Sequence, residues 1–148
     1  MGVTSVNPYL IFPGTAEEAF NFYRSVFGGE FDVLLRFRDF PDDMGARPDE
    51  RDKIAHIALP LGKRHMLMAT DALESRGRPL TIGDNSFILV DVESVAEAER
   101  LFAGLSDGGR IELPLQLVDW AERHGQCVDR HGITWMVSVG GRPASEPV

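Results

Sequence analysis

Only a few side chains in this sequence have chemistry suited to neutral pH: four histidines, one cysteine and a scatter of carboxylates. His56 sits in the middle of the apolar run Ile54–Leu61. Simple strand alternation puts it on one face with Ile54, Ala58 and Pro60, opposite Ala55, Ile57 and Leu59. Facing inward with Asp71 or His65 nearby, it could serve as a general base, because free imidazole titrates near pH 6.5. It could equally be a structural histidine bonded to a backbone carbonyl. His65 adjoins the Gly62-Lys63 turn and is expected in solvent, and His131 precedes Gly132 in a second turn. Cys127, next to Val128, has no base at catalytic spacing and reads as a buried, inert thiol. Trp120, flanked by Asp119 and followed by His124, could stack on a ligand or simply anchor its loop.

A second group is defined by softness rather than charge. Tyr9, Met66, Met68, Phe87 and Met136 are candidate lining for an adaptable apolar pocket, since methionine is flexible and its sulfur is a weak acceptor. Alternation sends neighbours such as Trp135 and Met136 to opposite faces, so part of this group must be ordinary core. The G-x-S-x-G elbow, the P-loop and the HExxH helix are all missing from the sequence.

These residues are carried by a pattern that occurs twice. The first copy runs Leu10-Ile11-Phe12, Thr15 to Ala19, Phe22-Tyr23 and Val26, and closes on Gly28-Gly29. The second runs Leu89-Val90-Asp91, Ser94 to Ala98, Leu101-Phe102 and Leu105, and closes on Gly108-Gly109. Thr15 with Glu18, and Ser94 with Glu97, have capping-box spacing. Ala16, Ala19, Phe20, Tyr23, Val26 and Phe27 form one apolar stripe; Val95, Ala98, Leu101, Phe102 and Leu105 form the other. Both glycine pairs act as helix stops rather than phosphate cradles.

Strands are predicted at 6–12, 31–37, 54–61, 64–70, 86–92, 110–113, 125–129 and 133–139. Loops are predicted at 41–53 and at 114–123, the latter carrying Trp120. The predicted fold class is α+β: two βαβββ units with curved mixed sheets and the helices outside. The first unit covers 1–72, a linker 73–85, the second unit 86–140 and a flexible Gly/Pro/Ser-rich tail 141–148. Two such units can enclose a cavity, which directs attention to a small molecule.

Composition narrows the partners. The 148 residues are 43% apolar and 26% charged, an ordinary globular balance. A formal charge of −8 disfavours contact with phosphate backbones, so nucleic acid is not an expected partner. One cysteine excludes an internal disulfide and a multi-cysteine zinc site. With no signal-like start and no apolar run of about 18 residues, neither a membrane partner nor export is expected, and the expected location is cytoplasmic.

The order of short words along the chain resembles the vicinal oxygen chelate (VOC) superfamily, which includes glyoxalase I, extradiol dioxygenases and bleomycin-binding proteins. Within it the PhnB-like group is nearer. The carrying residues are Asn7-Pro8-Tyr9-Leu10, Gly14 to Ala19, Phe22-Tyr23, Phe27-Gly28-Gly29-Glu30 and Ile54-Ala55-His56. They continue with Leu67 to Asp71, Gly108-Gly109, Leu113-Pro114-Leu115, Trp120 and Asp129 to Met136. The resemblance implies a homodimer whose paired units curve around cavities, with the region of Trp120 able to close over one. The group's pattern has an aromatic before this tryptophan and a glycine after it. Here Asp119 and Ala121 take those places, so a relative's ligand preference does not carry over.

The resemblance also implies a divalent metal held by His, Gln or Glu at four inward strand positions. In this sequence they fall on Pro8, among Met66, Leu67 and Met68, on Phe87 and on Met136. None is an imidazole or carboxylate, so no metal is expected there and no cofactor is assigned. Some members carry a methyltransferase label, but the chain lacks a glycine-rich strand-to-helix loop for a methyl donor.

The leading expectation is a protein that binds a small, partly apolar molecule, with Tyr9, His56, Met66, Met68, Phe87, Trp120 and Met136 as the pocket and His56 as the only catalytic candidate. The alternative is a metal-dependent glyoxalase- or dioxygenase-type enzyme with ligands relocated to His56, His65, Asp71 or His124. A third reading is a scaffold whose dimer interface is its function.

Overall fold

Pro8 has no N–H to offer a sheet, yet its carbonyl accepts the Met68 N–H at 3.2 Å, and this contact starts the first strand. The computed structural model describes residues 2–77 and 79–140. The tail predicted at 141–148 lies outside them. The chain divides into two units, Met1–Thr81 and Ile82–Val148.

The first unit contains β1 (Tyr9–Phe12), α1 (Ala16–Phe27), β2 (Val33–Arg36), β3 (Ile54–Leu61) and β4 (His65–Asp71). Its sheet order is β1-β4-β3-β2, with β1 parallel to β4 and the other pairs antiparallel. The second contains β5 (Ile88–Val92), α2 (Val95–Ser106), β6 (Arg110–Val118), β7 (Ala121–Val128) and β8 (Thr134–Val139). Its order is β5-β8-β7-β6, again with one parallel pair. The α+β class and the repeated βαβββ unit are as the sequence predicted.

Each helix buries its apolar stripe on one face of its own sheet. In the first unit Ala16, Ala19, Phe20, Tyr23 and Val26 are buried, as are Phe12, Ile57, Leu59, Leu67 and Ala69 of the strands. Phe20 meets Phe12 and Tyr23 edge-on, at 6.3 and 5.5 Å between ring centres, the arrangement aromatic quadrupoles favour. In the second unit Ala98, Leu101, Phe102 and Leu105 are buried, with Cys127, Trp135, Val137 and Val139 of the sheet. Gly125 belongs to that packing, because a Cβ there would stand 2.8 Å from the Phe102 ring and 3.0 Å from Leu115 Cα.

Three expectations need correction. Thr15 makes no side-chain cap bond. The α1 terminus is capped from the sheet: Asp71 accepts the Ala16 N–H through Oδ1 at 2.9 Å and the Ile54 N–H through Oδ2 at 2.8 Å. Asp71 therefore ends a strand and is buried, whereas the sequence ended that strand at 70. Ser94 does cap α2, accepting the Glu97 N–H at 3.1 Å, but the Glu97 carboxylate turns to Arg100 instead of closing the box.

The third correction concerns residues 114–123. They form no loop: β6 continues through Pro114 to Val118, and β7 resumes at Ala121. Pro114 is tolerated because β6 is an edge strand with shifted register there. Residues 41–53 are irregular, as predicted. Buried Glu50 pins them by accepting the Ser75 hydroxyl at 2.6 Å together with the Ser75 and Arg47 N–H groups. Those donors, the Ser75 hydroxyl foremost, lower its carboxyl pKa to about 2.

Candidate functional site

Side chains paired across a ladder point the same way, so register defines the sheet face turned away from the helix. In the first unit Tyr9 pairs with Met68, Met68 with Ala58, Ala58 with Val33, and His56 with Leu35. Met66 and Ile11 share this face by alternation. Tyr9 is 47% exposed, Ile11 is exposed, and Met66, Met68 and His56 are half-buried. His56 therefore stands on a largely apolar surface.

Its partner is Tyr9. The tyrosine hydroxyl and His56 Nδ1 are 2.9 Å apart, and the two rings stack at 5.6 Å with 22° between their planes. Partial burial raises the Tyr9 pKa, so the phenol keeps its proton at neutral pH. The carboxylate partner considered for His56 is not there: Asp71 lies among the buried groups of the opposite face, and His65 begins β4 in solvent.

The second unit repeats this placement. His56 precedes Ile57, which pairs with Ala69, so in this antiparallel ladder His56 falls opposite Thr70; His124 pairs with Ser138 at the corresponding point. Met136 corresponds to Met68 and lies between Leu89 and Gln126. The environment differs, however. His124 is 4% exposed, with Nδ1 2.6 Å from Ser138 Oγ and Nε2 3.1 Å from Gln126 Nε2. Burial lowers its pKa, and the nearby Asp91 charge opposes that shift.

Trp120 is 56% exposed in the two-residue turn between β6 and β7, its ring 5.6 Å from His124. Phe87 is half-buried and lies one residue ahead of β5, and Met136 is half-buried. The sequence missed the Tyr9–His56 bond, which depends on the register of β1 and β3 about β4, and the His124–Ser138–Gln126 cluster, because the strand carrying His124 was predicted to begin only at 125. The signal was available in the repeat: once β3 and β7 are aligned, their histidines coincide.

Other candidates are structural. Burial, aided by Asp129 and Glu112, pushes the Cys127 thiol up to about 11, so it is a thiol and not a thiolate at neutral pH. Asp129 accepts the His131 N–H at 2.7 Å and the Trp135 indole N–H at 2.8 Å, which organises the turn before β8.

The donor set does not fit the superfamily's metal. Pro8, Phe87, Met136 and the Met66-Leu67-Met68 step offer no imidazole or carboxylate. Among the described residues, no three His, Cys, Asp or Glu groups converge well enough to hold a metal ion.

Comparison with known proteins places this architecture. Protein YjdN from Escherichia coli K12 is 27% identical over 142 residues, covering 90% of this chain and 94% of that protein. The crystal structure of protein PA1353 from Pseudomonas aeruginosa is 38% identical, with TM-score 0.82, covering 93% of this chain and 98% of the other. The PhnB protein from Bacillus cereus shares the fold at 23% identity and TM-score 0.73, over 92% and 99% of the two chains. A family model described as 3-demethylubiquinone-9 3-methyltransferase matches residues 4–138, and the chain belongs to this family.

Proposed function

We propose that this protein binds a small, partly apolar molecule on the sheet faces turned away from the helices, without the superfamily's usual metal. Tyr9, His56, Met66 and Met68 line that face in the first unit; Phe87, Trp120 and Met136 are the corresponding candidates within the second. His56 orients the ligand through the ring nitrogen that Tyr9 leaves free.

The observation that carries this reading is the Tyr9–His56 pair, a hydrogen-bonded and stacked aromatic couple set among exposed and half-buried apolar side chains. Apolar surface left open around a few placed polar groups is how small-molecule sites are built. Partners follow from the same reading: a homodimer in the cytoplasm, with neither nucleic acid nor membrane. The −8 charge supports the former exclusion, and among the described residues no helix is long and apolar enough to cross a membrane. The family description names a methyltransferase, but the β1–α1 and β5–α2 connections are short steps through Pro13-Gly14-Thr15 and Glu93-Ser94, with no glycine-rich cradle for a methyl donor.

The test is a ligand-observed NMR screen of small aromatic compounds against the tag-free protein, with elemental analysis before and after adding Zn²⁺, Ni²⁺, Mn²⁺ and Fe²⁺. Hits should weaken on the order of tenfold in His56→Ala, as expected for loss of one well-placed hydrogen bond. A stoichiometric metal that disappears in His56→Ala would overturn the reading in favour of a metal enzyme with relocated ligands.

A further inference from the structure

A separate cavity of about 440 Å³ lies in the first unit, at the ends of β1 and β4 near the start of α1. Among the described residues its walls are Pro13, Leu73, Pro79 and Leu80, with Lys53 and Glu74 as the charged groups. That size is within the rough 300–1,000 Å³ span of small-ligand pockets. It shares no residue with the Tyr9–His56 face.

Lys53 is half-buried, and its ammonium rests against Gly14: a Cβ at Gly14 would lie 2.8 Å from Nζ. Gly14 also has φ +92°, so the chain here demands glycine and thereby leaves the lysine its place. The nearby carboxylates are already engaged. Asp71 attracts Lys53 but spends its two oxygens on the Ala16 and Ile54 N–H groups. Glu74 stands 3.8 Å from Arg47. An ammonium with three donors therefore faces a mostly apolar hollow.

We propose that this cavity binds a monocarboxylate with a short aliphatic tail. Lys53 takes the carboxylate, and Pro13, Leu73, Pro79 and Leu80 cover the tail. A monoanion is specified because Lys53 is the one cation among the described lining residues: it can match a single negative charge, whereas the second charge of a phosphate dianion would stand near Glu74 with nothing to offset it.

The experiment is a ¹H–¹⁵N NMR titration of the full chain with sodium octanoate, and separately with inorganic phosphate, in mildly alkaline buffer where phosphate is mainly the dianion. Expected are saturable shifts at Gly14, Leu73, Gly77 and Leu80 with octanoate and none with phosphate. Lys53→Met should weaken octanoate on the order of tenfold, and Lys53→Arg by no more than about threefold. Lys53→Gln serves the same purpose should the methionine variant not fold. No saturation, equal binding of phosphate, shifts centred on Tyr9 and His56, or unchanged affinity in the neutral variants would each overturn the proposal. None of these outcomes bears on the first sheet's open face unless the shifts move there, which would support that site instead.

Discussion

The two units share a backbone plan and even the position of a histidine, but they differ in how each plan is secured. The first unit caps its helix with a buried carboxylate from β4, so helix and sheet are joined through Asp71. The second caps its helix locally with Ser94, a bond between residues three apart on the surface. The first leaves its imidazole half-exposed beside a tyrosine. The second encloses its imidazole between a serine and a glutamine. A repeated scaffold thus supplies two equivalent positions, and side-chain choice leaves one half-exposed and the other buried.

The caps should separate most sharply. Asp71→Ala leaves two N–H groups in a buried place without their acceptor and should cost about 3 kcal/mol, whereas Ser94→Ala should cost about 1 kcal/mol. Urea unfolding of both variants measures this. Equal losses would mean that the long-range cap holds no more than the local one.

Packing gives the next effect. Gly125 in β7 corresponds to Ile57 in β3, both opposite the central residue of the neighbouring strand. Gly125→Ala should destabilise by about 1–2 kcal/mol, since the new methyl meets Leu115 backbone as well as the movable Phe102 ring. Thermal unfolding checks this, and a stabilised variant would show that Phe102 has room to withdraw.

The smallest effect distinguishes the buried imidazole by pH. His124 titrates lower in the folded protein than unfolded, mainly through burial, so the unfolded chain takes up its proton first as pH falls. Its contribution is therefore intact above the unfolded value near 6.5 and declines as pH drops from there toward the folded value. His124→Gln keeps polar contacts but cannot titrate. Its stability curve should be flatter over that acid window, and a curve parallel to wild type would contradict the enclosed, neutral state of this histidine.

Much of the fold was legible because it follows from short-range rules. The apolar stripes of α1 and α2, the glycine stops and the alternation of β3 and β4 each depend on neighbours within a few residues. The misread parts depend on distance. Nothing beside Asp71 reveals that it caps a helix some 55 residues earlier in the chain. Pro114 reads locally as a strand breaker, and only its place on a sheet edge makes it harmless. The candidate site divides likewise: Tyr9, Met66, Met68 and Met136 were proposed from residue type alone, whereas the bond between Tyr9 and His56 could not be read without the register.

By itself the sequence determined the duplicated βαβββ plan, the helix faces and the inert character of Cys127, since all of these rest on residue identity and local periodicity. Tertiary structure alone decided that Tyr9 meets His56, that Asp71 caps α1, that His124 is enclosed and that Lys53 faces a cavity. Those outcomes depend on strand register, which brings together residues that are remote along the chain, and register is set by the packing of whole sheets rather than by any local run.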